Sequence, residues 1–150
     1  KKPSATADAV DRFVVSGLDS LTLYSIHPRT PDIDEVGDEE TYEKLLAAAT
    51  PKFFHGHPVL QTTATDKPDE IAALLKSVTR SMRTAAFGAK CFDPRHGLRL
   101  TRGDTHLDLV ICYECEYVQL WEGGVKQPYE TIAESSKAAL DRFLAAAKPQ

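Results

Sequence analysis

Three cysteines and one histidine, Cys91, His96, Cys112 and Cys115, are the residues of this chain best suited to chemistry. Three thiolates and an imidazole can hold zinc in a tetrahedral Cys3His site. The spacing is C-x4-H followed by C-x2-C, and Cys112-Tyr113-Glu114-Cys115 is the part that matches known ligand spacing. A C-x-x-C pair can also run thiol redox chemistry. That chemistry needs a lowered thiol pKa, as at a helix N-terminus, whereas Glu114 and Glu116 beside this pair act the other way. A third reading is structural: a disulfide from Cys91 to Cys112 or Cys115 in an exported protein, or buried inert thiols. His96 alone reads as a hydrogen-bonded core histidine.

Other groups carry weaker signals. His55 and His57, in Phe53-Phe54-His55-Gly56-His57, share a face if this segment is a strand, and two histidines at i, i+2 can ligate a metal. The plainer reading is a polar strand face bent at Gly56. Asp93, Arg95, His96 and Arg99 could bind an anion, or pair among themselves. A phosphate-cradling glycine loop, a nucleophile elbow and an H-E-x-x-H motif are all missing, so nothing assigns an enzyme. Glu114 and Glu116, with Trp121 and the Gly123-Gly124 tip, form the expected surface for a protein partner.

The elements that position these residues follow from periodicity. Gly103-Asp104 is a two-residue hairpin signal between two alternating runs. If Arg102 faces Thr105, Leu98 faces Leu109, Leu100 faces Leu107, and the four leucines fall on one side. The same register puts His96 opposite Ile111 on the core side, Arg95 opposite Cys112 on the other, and Cys91 near Glu116. Beyond Tyr113 the apolar phase switches to Val118 and Leu120, which predicts a bulge or bend over 113–117 that could align Cys112 with Cys115. Tyr117 to Trp121 then turns at Gly123-Gly124 into a second hairpin.

Elsewhere, Ala9 to Val15 predicts a short helix ending at Gly17, and residues 21–26 a strand closed by His27-Pro28. Residues 28–43 hold seven acidic side chains and read as a solvated loop, with a short helix after Tyr42. Phe53 to Thr63 predicts a strand. Asp66 and Pro68 open a helix whose stripe is Ile71, Leu74, Leu75, Val78 and Met82. Ser135 or Ser136 caps a last helix built on Ala139, Leu140, Phe143 and Leu144. The expected architecture is a single α+β domain over residues 1–150: an antiparallel sheet of five to six strands, built from two hairpins and covered by two main helices.

Composition narrows the function classes. With 42% hydrophobic and 27% charged residues the chain is ordinary for a globular domain, large enough to bury a core without staples. Its net charge of -4 gives no general attraction to nucleic acid or anionic membrane. No apolar run reaches the roughly 20 residues of a transmembrane helix. The chain opens Lys1-Lys2-Pro3-Ser4, and its one methionine is Met82, which sets the expectation of a removed leader and an exported, periplasmic or membrane-anchored protein.

Two stretches, Cys91-Phe92-Asp93-Pro94-Arg95-His96-Gly97 and Asp108-Leu109-Val110-Ile111-Cys112-Tyr113-Glu114-Cys115, resemble a family of small uncharacterised bacterial proteins. The family's pattern is C-F-x-P-[RH]-H-G followed by D-[LF]-[VL]-I-C-[FY]-x-C. Phe54-His55-Gly56 with Pro58-Val59-Leu60 also looks like its earlier F-H-G strand. The likeness covers roughly residues 53–121 and leaves out the acidic loop. Many members carry export signals or lipoprotein anchors, so the resemblance implies a leader; it implies no activity. The expectation is therefore a non-enzymatic binding or interaction domain with a structural cysteine cluster and no cofactor. The alternative is a zinc or thiol-redox protein using Cys91, His96, Cys112 and Cys115.

Overall fold

Ser4 starts the first helix. Its hydroxyl accepts the Ala7 N–H at 3.0 Å and donates to the Glu130 carboxylate at 2.9 Å, which also takes the Thr6 N–H at 3.1 Å. These contacts satisfy amides that a helix N-terminus otherwise leaves open. Helix α1 (Ala5–Val15) therefore begins four residues before the apolar pattern predicts. It ends where expected, with Gly17 in the left-handed region at φ 89° and its N–H on the Val14 carbonyl. The computed structural model describes residues 2–15, 17–28, 38, 40, 44, 53–84, 88 and 92–146. Cys91, nearly all of the acidic loop and the helix expected after Tyr42 lie outside the described residues.

Strand β1 (Ser20–Ile26) lies inside an antiparallel sheet. The segment expected as one strand over 53–63 is instead a hairpin, β2 (Phe53–Phe54) and β3 (His57–Thr65), with Phe54 opposite His57. The reversal is made at His55-Gly56, both at positive φ, 49° and 86°. This is the handedness that two-residue hairpin loops require, and Gly56 supplies more than a bend. Helix α2 (Pro68–Met82) buries the predicted stripe. Asp66 does not cap it: Lys67 holds the cap position, and its N–H goes to the Thr65 hydroxyl at 3.1 Å, with Pro68 fixing the first turn.

Strands β4 (His96–Arg102) and β5 (Thr105–Cys112) pair in the register the leucines require. Strand β6 (Tyr117–Glu122) pairs with β5, with Cys112 opposite Tyr117. Residues 113–116 are thus a four-residue chain reversal, with Glu116 at φ 57°, where the phase switch suggested a bulge or bend. A reversal and a bulge shift alternation alike, so the pattern could not separate them. Two short strands, β7 (Val125–Lys126) and β8 (Glu130–Thr131), both pair with β6. A 3-10 turn (Glu134–Ser136) leads into α3 (Lys137–Ala146).

The sheet order is β2-β3-β1-β4-β5-β6-β7, with β8 beside β6. The α+β antiparallel architecture is as expected, but the described residues hold eight strands and three helices, not five to six and two. Strands of two residues carry no readable periodicity, and α1 is anchored by a glutamate 124 residues away from Thr6 in sequence.

Leu21, Leu23, Leu98, Leu100, Leu107, Leu109, Ile111, Val118 and Leu120 face the helices and pack with Val10, Val78, Met82 and Leu140. Burying each such side chain contributes about 1.5–3 kcal/mol. A hydroxyl chain crosses this layer. Tyr113 donates to Ser136 at 2.6 Å, Ser136 to Ser81 at 2.8 Å, and Ser81 to the Val78 carbonyl. Burial pushes the Tyr113 phenol pKa up, even though the Ser136 bond acts the other way, and the proton stays on the ring oxygen. A smaller apolar cluster, Tyr24, Ile26, Phe54 and Val110 with Val59, Phe92 and Trp121, occupies the opposite, outer face.

Candidate functional site

The outer face is organised in rows set by strand register. Thr22, Arg99, Asp108 and Trp121 are consecutive partners across β1, β4, β5 and β6. Two residues along, Tyr24, Gly97, Val110 and Gln119 form the neighbouring row. The tip of the β2–β3 hairpin lies across both. Phe54 packs on Tyr24 with ring centroids 4.7 Å apart, and Arg99 sits 5.6 Å from the Phe54 ring. A Cβ at position 97 would stand 2.5 Å from the Phe54 ring, so only glycine admits it. His55 falls on the next row, over Asp108 and Trp121.

Asp108 is 1% exposed and is the hub of the site. Arg99 grips it in a fork, Nε to Oδ1 and a terminal nitrogen to Oδ2, both at 2.9 Å. His55 donates from Nε2 to Oδ2 at 2.8 Å, and His106 Nε2 stands 3.8 Å away. Burial alone would raise the Asp108 pKa. The hydrogen bonds and charges of Arg99 and His55 outweigh it and hold the carboxyl below its usual range. Burial likewise opposes the Arg99 charge, and Asp108 outweighs that, so the guanidinium holds its proton more tightly than usual. The pair is a buried, charge-assisted one.

His55, 6% exposed, is stacked on Trp121, ring centroids 4.2 Å apart at 14°. Because an ionised carboxylate only accepts, the Nε2 facing Asp108 carries a proton, and in the uncharged tautomer Nδ1 is an acceptor. Among the described residues that Nδ1 is buried without a hydrogen-bond partner, and so is the Trp121 indole Nε1, a donor. One acceptor and one donor are therefore left open on two stacked rings.

The other sequence candidates fall elsewhere. His57 does not join His55: its Nδ1 donates to the His27 carbonyl at 3.1 Å, and burial lowers its pKa, with the His27 bond acting against that shift. His96 lies on the helix side, as expected. Its Nε2 donates to Asp141 at 2.7 Å, its ring meets Tyr113 edge-on at 5.2 Å, and its Nδ1 is buried without a partner among the described residues. Burial would raise Asp141, but hydrogen bonds from Lys137 and His96 hold it below its usual range.

Cys112 ends β5 in phase with Asp108 and Val110, facing away from His96; it is a free thiol. Its Sγ accepts the Cys115 N–H at 3.1 Å. Cys91 lies outside the described residues. Among the described residues, no group of three or more His, Cys, Asp or Glu side chains could hold a metal ion.

Of the expected partner surface, Trp121 belongs to the Asp108 site. Glu114 is exposed beside Arg95, with 3.8 Å between the charged atoms, and Glu116 sits in the same turn. Both lie at the far end of β6 from Trp121. The anion group disperses as well: Arg99 serves Asp108 and His96 serves Asp141.

Asp108 itself escaped the sequence reading. Flanked by Leu107 and Leu109, it alternates as a solvent-facing strand residue does. Two signals were there: the leucine register also sets Arg99 opposite Asp108, and Gly97 inside a strand marks close approach of another group. No helix among the described residues is long and apolar enough to cross a membrane. No family model, curated protein or solved structure matches the chain.

Proposed function

We propose that the protein is a non-enzymatic binding domain whose ligand site is the hairpin tip docked over Asp108. The ligand would carry a donor and an acceptor side by side, as an amide group does, one for His55 Nδ1 and one for Trp121 Nε1. The observation that carries this reading is the pair of open polar atoms on the stacked rings. Each buried polar atom left unpaired costs about 1–3 kcal/mol, and a purely structural latch would have no use for two of them.

Binding fits better than catalysis. His55 and His96 each give Nε2 to a carboxylate, and at each Nδ1 no hydroxyl or thiol of the described residues is in hydrogen-bond contact. A nucleophile for either base to activate is therefore not in place. The protein partner expected at Glu114, Glu116 and Trp121 narrows in this proposal to Trp121.

Trp121 is the only tryptophan, so its indole N–H gives an isolated signal in a 15N-correlated NMR spectrum. Titration with acetamide and N-methylacetamide is expected to move that signal and the His55 imidazole resonances together, with little change elsewhere. Amide probes that leave both unmoved at the highest soluble concentration would sink the proposal.

A further inference from the structure

His55 and His106 stand against the same oxygen of Asp108, at 2.8 and 3.8 Å. Arg99 and Asp108 cancel each other's charge, and Asp108, held below its usual range, stays ionised in weak acid. The charge free to change at the stacked rings is that of His55, because imidazoles gain a proton between about pH 8 and pH 5. The added proton goes to Nδ1, since Nε2 already carries the one that Asp108 accepts. Docking survives the change. The bond to Asp108 becomes charge-assisted on both sides, and the imidazolium lies flat on the Trp121 face, 4.2 Å between centroids, where a cation is favoured. What reverses is Nδ1: an acceptor beside the Trp121 donor in the uncharged ring, a second donor in the charged one.

The neighbours of His55 act in both directions. Asp108 on β5 favours the charged ring, whereas Arg99 on β4, His106 on β5 and His57 on β3 oppose it whenever they are charged. Tyr24 on β1, packed on Phe54, has its phenol raised chiefly by burial and stays neutral in this range. Trp121 on β6 does not titrate.

We propose that the His55–Trp121 site has a second ligand class, carboxylates, which displace amides once His55 is protonated. The inference rests on the amide site proposed above. Two N–H donors suit the two oxygens of a carboxylate, and the imidazolium adds a positive charge that Asp108, already balanced by Arg99, does not cancel. An amide meets the charged ring donor against donor. A carboxylate meets the uncharged ring acceptor against acceptor. A free acid and a peptide C-terminus both offer the required group.

The test is NMR titration of the full chain with acetamide and with acetate, at steps from about pH 8 to about pH 5, read at the Trp121 indole N–H and the His55 ring. Acetamide is expected to bind better at the alkaline end and acetate at the acid end, the ratio of affinities changing by about tenfold or more. Linkage requires the reverse effect in the wild-type protein: acetate should move the His55 titration midpoint to higher pH, and acetamide should lower it. A His55 ring that stays uncharged throughout, or a midpoint that acetate does not move, would overturn the inference. Acetamide binding with no response to acetate removes the carboxylate class alone; acetate binding without acetamide binding removes the amide reading alone. His106→Gln should preserve the reversal, and its loss there would overturn the assignment to His55. An N-acetylated dipeptide acid, compared with its C-terminal amide and with acetate, separates the sources. Tighter binding of the dipeptide acid than of acetate assigns a peptide C-terminus, and weaker binding a free acid.

Discussion

Asp108 does for the outer face what a hydrophobic residue cannot: it holds Arg99 and His55 in fixed orientations through three hydrogen bonds. Burying such a charge is costly, and the arrangement persists because every partner is in place. Removing only the charge should therefore be worse than removing the whole pair. Asp108→Asn sets the largely buried Arg99 guanidinium against a neutral amide, and is expected to cost about 3–5 kcal/mol. Arg99→Met with Asp108→Leu should recover most of that loss, because two packed apolar side chains replace the pair. Urea midpoints for the single and double variants check this. An Asp108→Asn protein within 1 kcal/mol of wild type would mean that the network stabilises nothing. The importance of Asp108 could not be read from its neighbours in sequence, because what buries it is the dipeptide Phe54-His55, 53 residues upstream of it at His55. By contrast the placement of His96 on the core side was legible, since four leucines fixed the phase of its strand.

At the level of elements, the contrast between two hairpins shows where local sequence suffices. Gly103-Asp104 joins two long alternating runs, so turn chemistry and phase agree and the register follows. His55-Gly56 makes the same kind of reversal, but β2 has only two residues and cannot announce a strand. Its docking comes from side chains instead: Phe54 on Gly97 and Tyr24, His55 on Asp108 and Trp121. Turn and docking can be separated by mutation. Gly56→Ala forces a β-carbon into φ 86° and is expected to cost about 1–2 kcal/mol, with the outer-face contacts otherwise intact. His55→Asn has the opposite character. Asparagine tolerates the left-handed region and favours this turn, but it is too short to reach Asp108. If docking rather than turn propensity holds the hairpin, His55→Asn should destabilise by about 1–3 kcal/mol and move Trp121 emission to longer wavelength. A variant as stable as wild type, with unchanged emission, would assign the hairpin to its turn alone.

For the molecule as a whole, the two faces of the sheet differ in how they respond to acid. The helix-facing layer is apolar, apart from a hydroxyl chain that does not titrate in the acid range and the His96–Asp141 pair at its edge, and should depend less on pH. The outer face and the β2–β3 hairpin carry most of the pH dependence. His57 has its pKa lowered, chiefly by burial, from an ordinary 6.5. The unfolded chain therefore takes up that proton first, and the stability present above about pH 6.5 declines as pH falls through the lower folded value. Asp108 is also lowered: burial opposes the shift, and Arg99 and His55 outweigh burial. Its contribution is complete above the ordinary value of 3.8 and is lost as pH falls through the folded value. Asp141, held low by Lys137 and His96, adds in the same window but is half exposed and counts for less. Two steps of destabilisation are thus expected on acidification, a shallow one beginning near pH 6.5 and a steeper one below about pH 4. Urea midpoints measured from pH 8 to pH 3 should show both. His57→Gln should remove the first step alone, and the Arg99→Met, Asp108→Leu double variant most of the second. Because Trp121 stacks on the hairpin tip, its emission should change in the lower step before the far-UV signal of the helices does. Coincident loss of both signals would show that the hairpin and the helix-facing core unfold as one unit, and that the outer face is not a separately opening part of the fold.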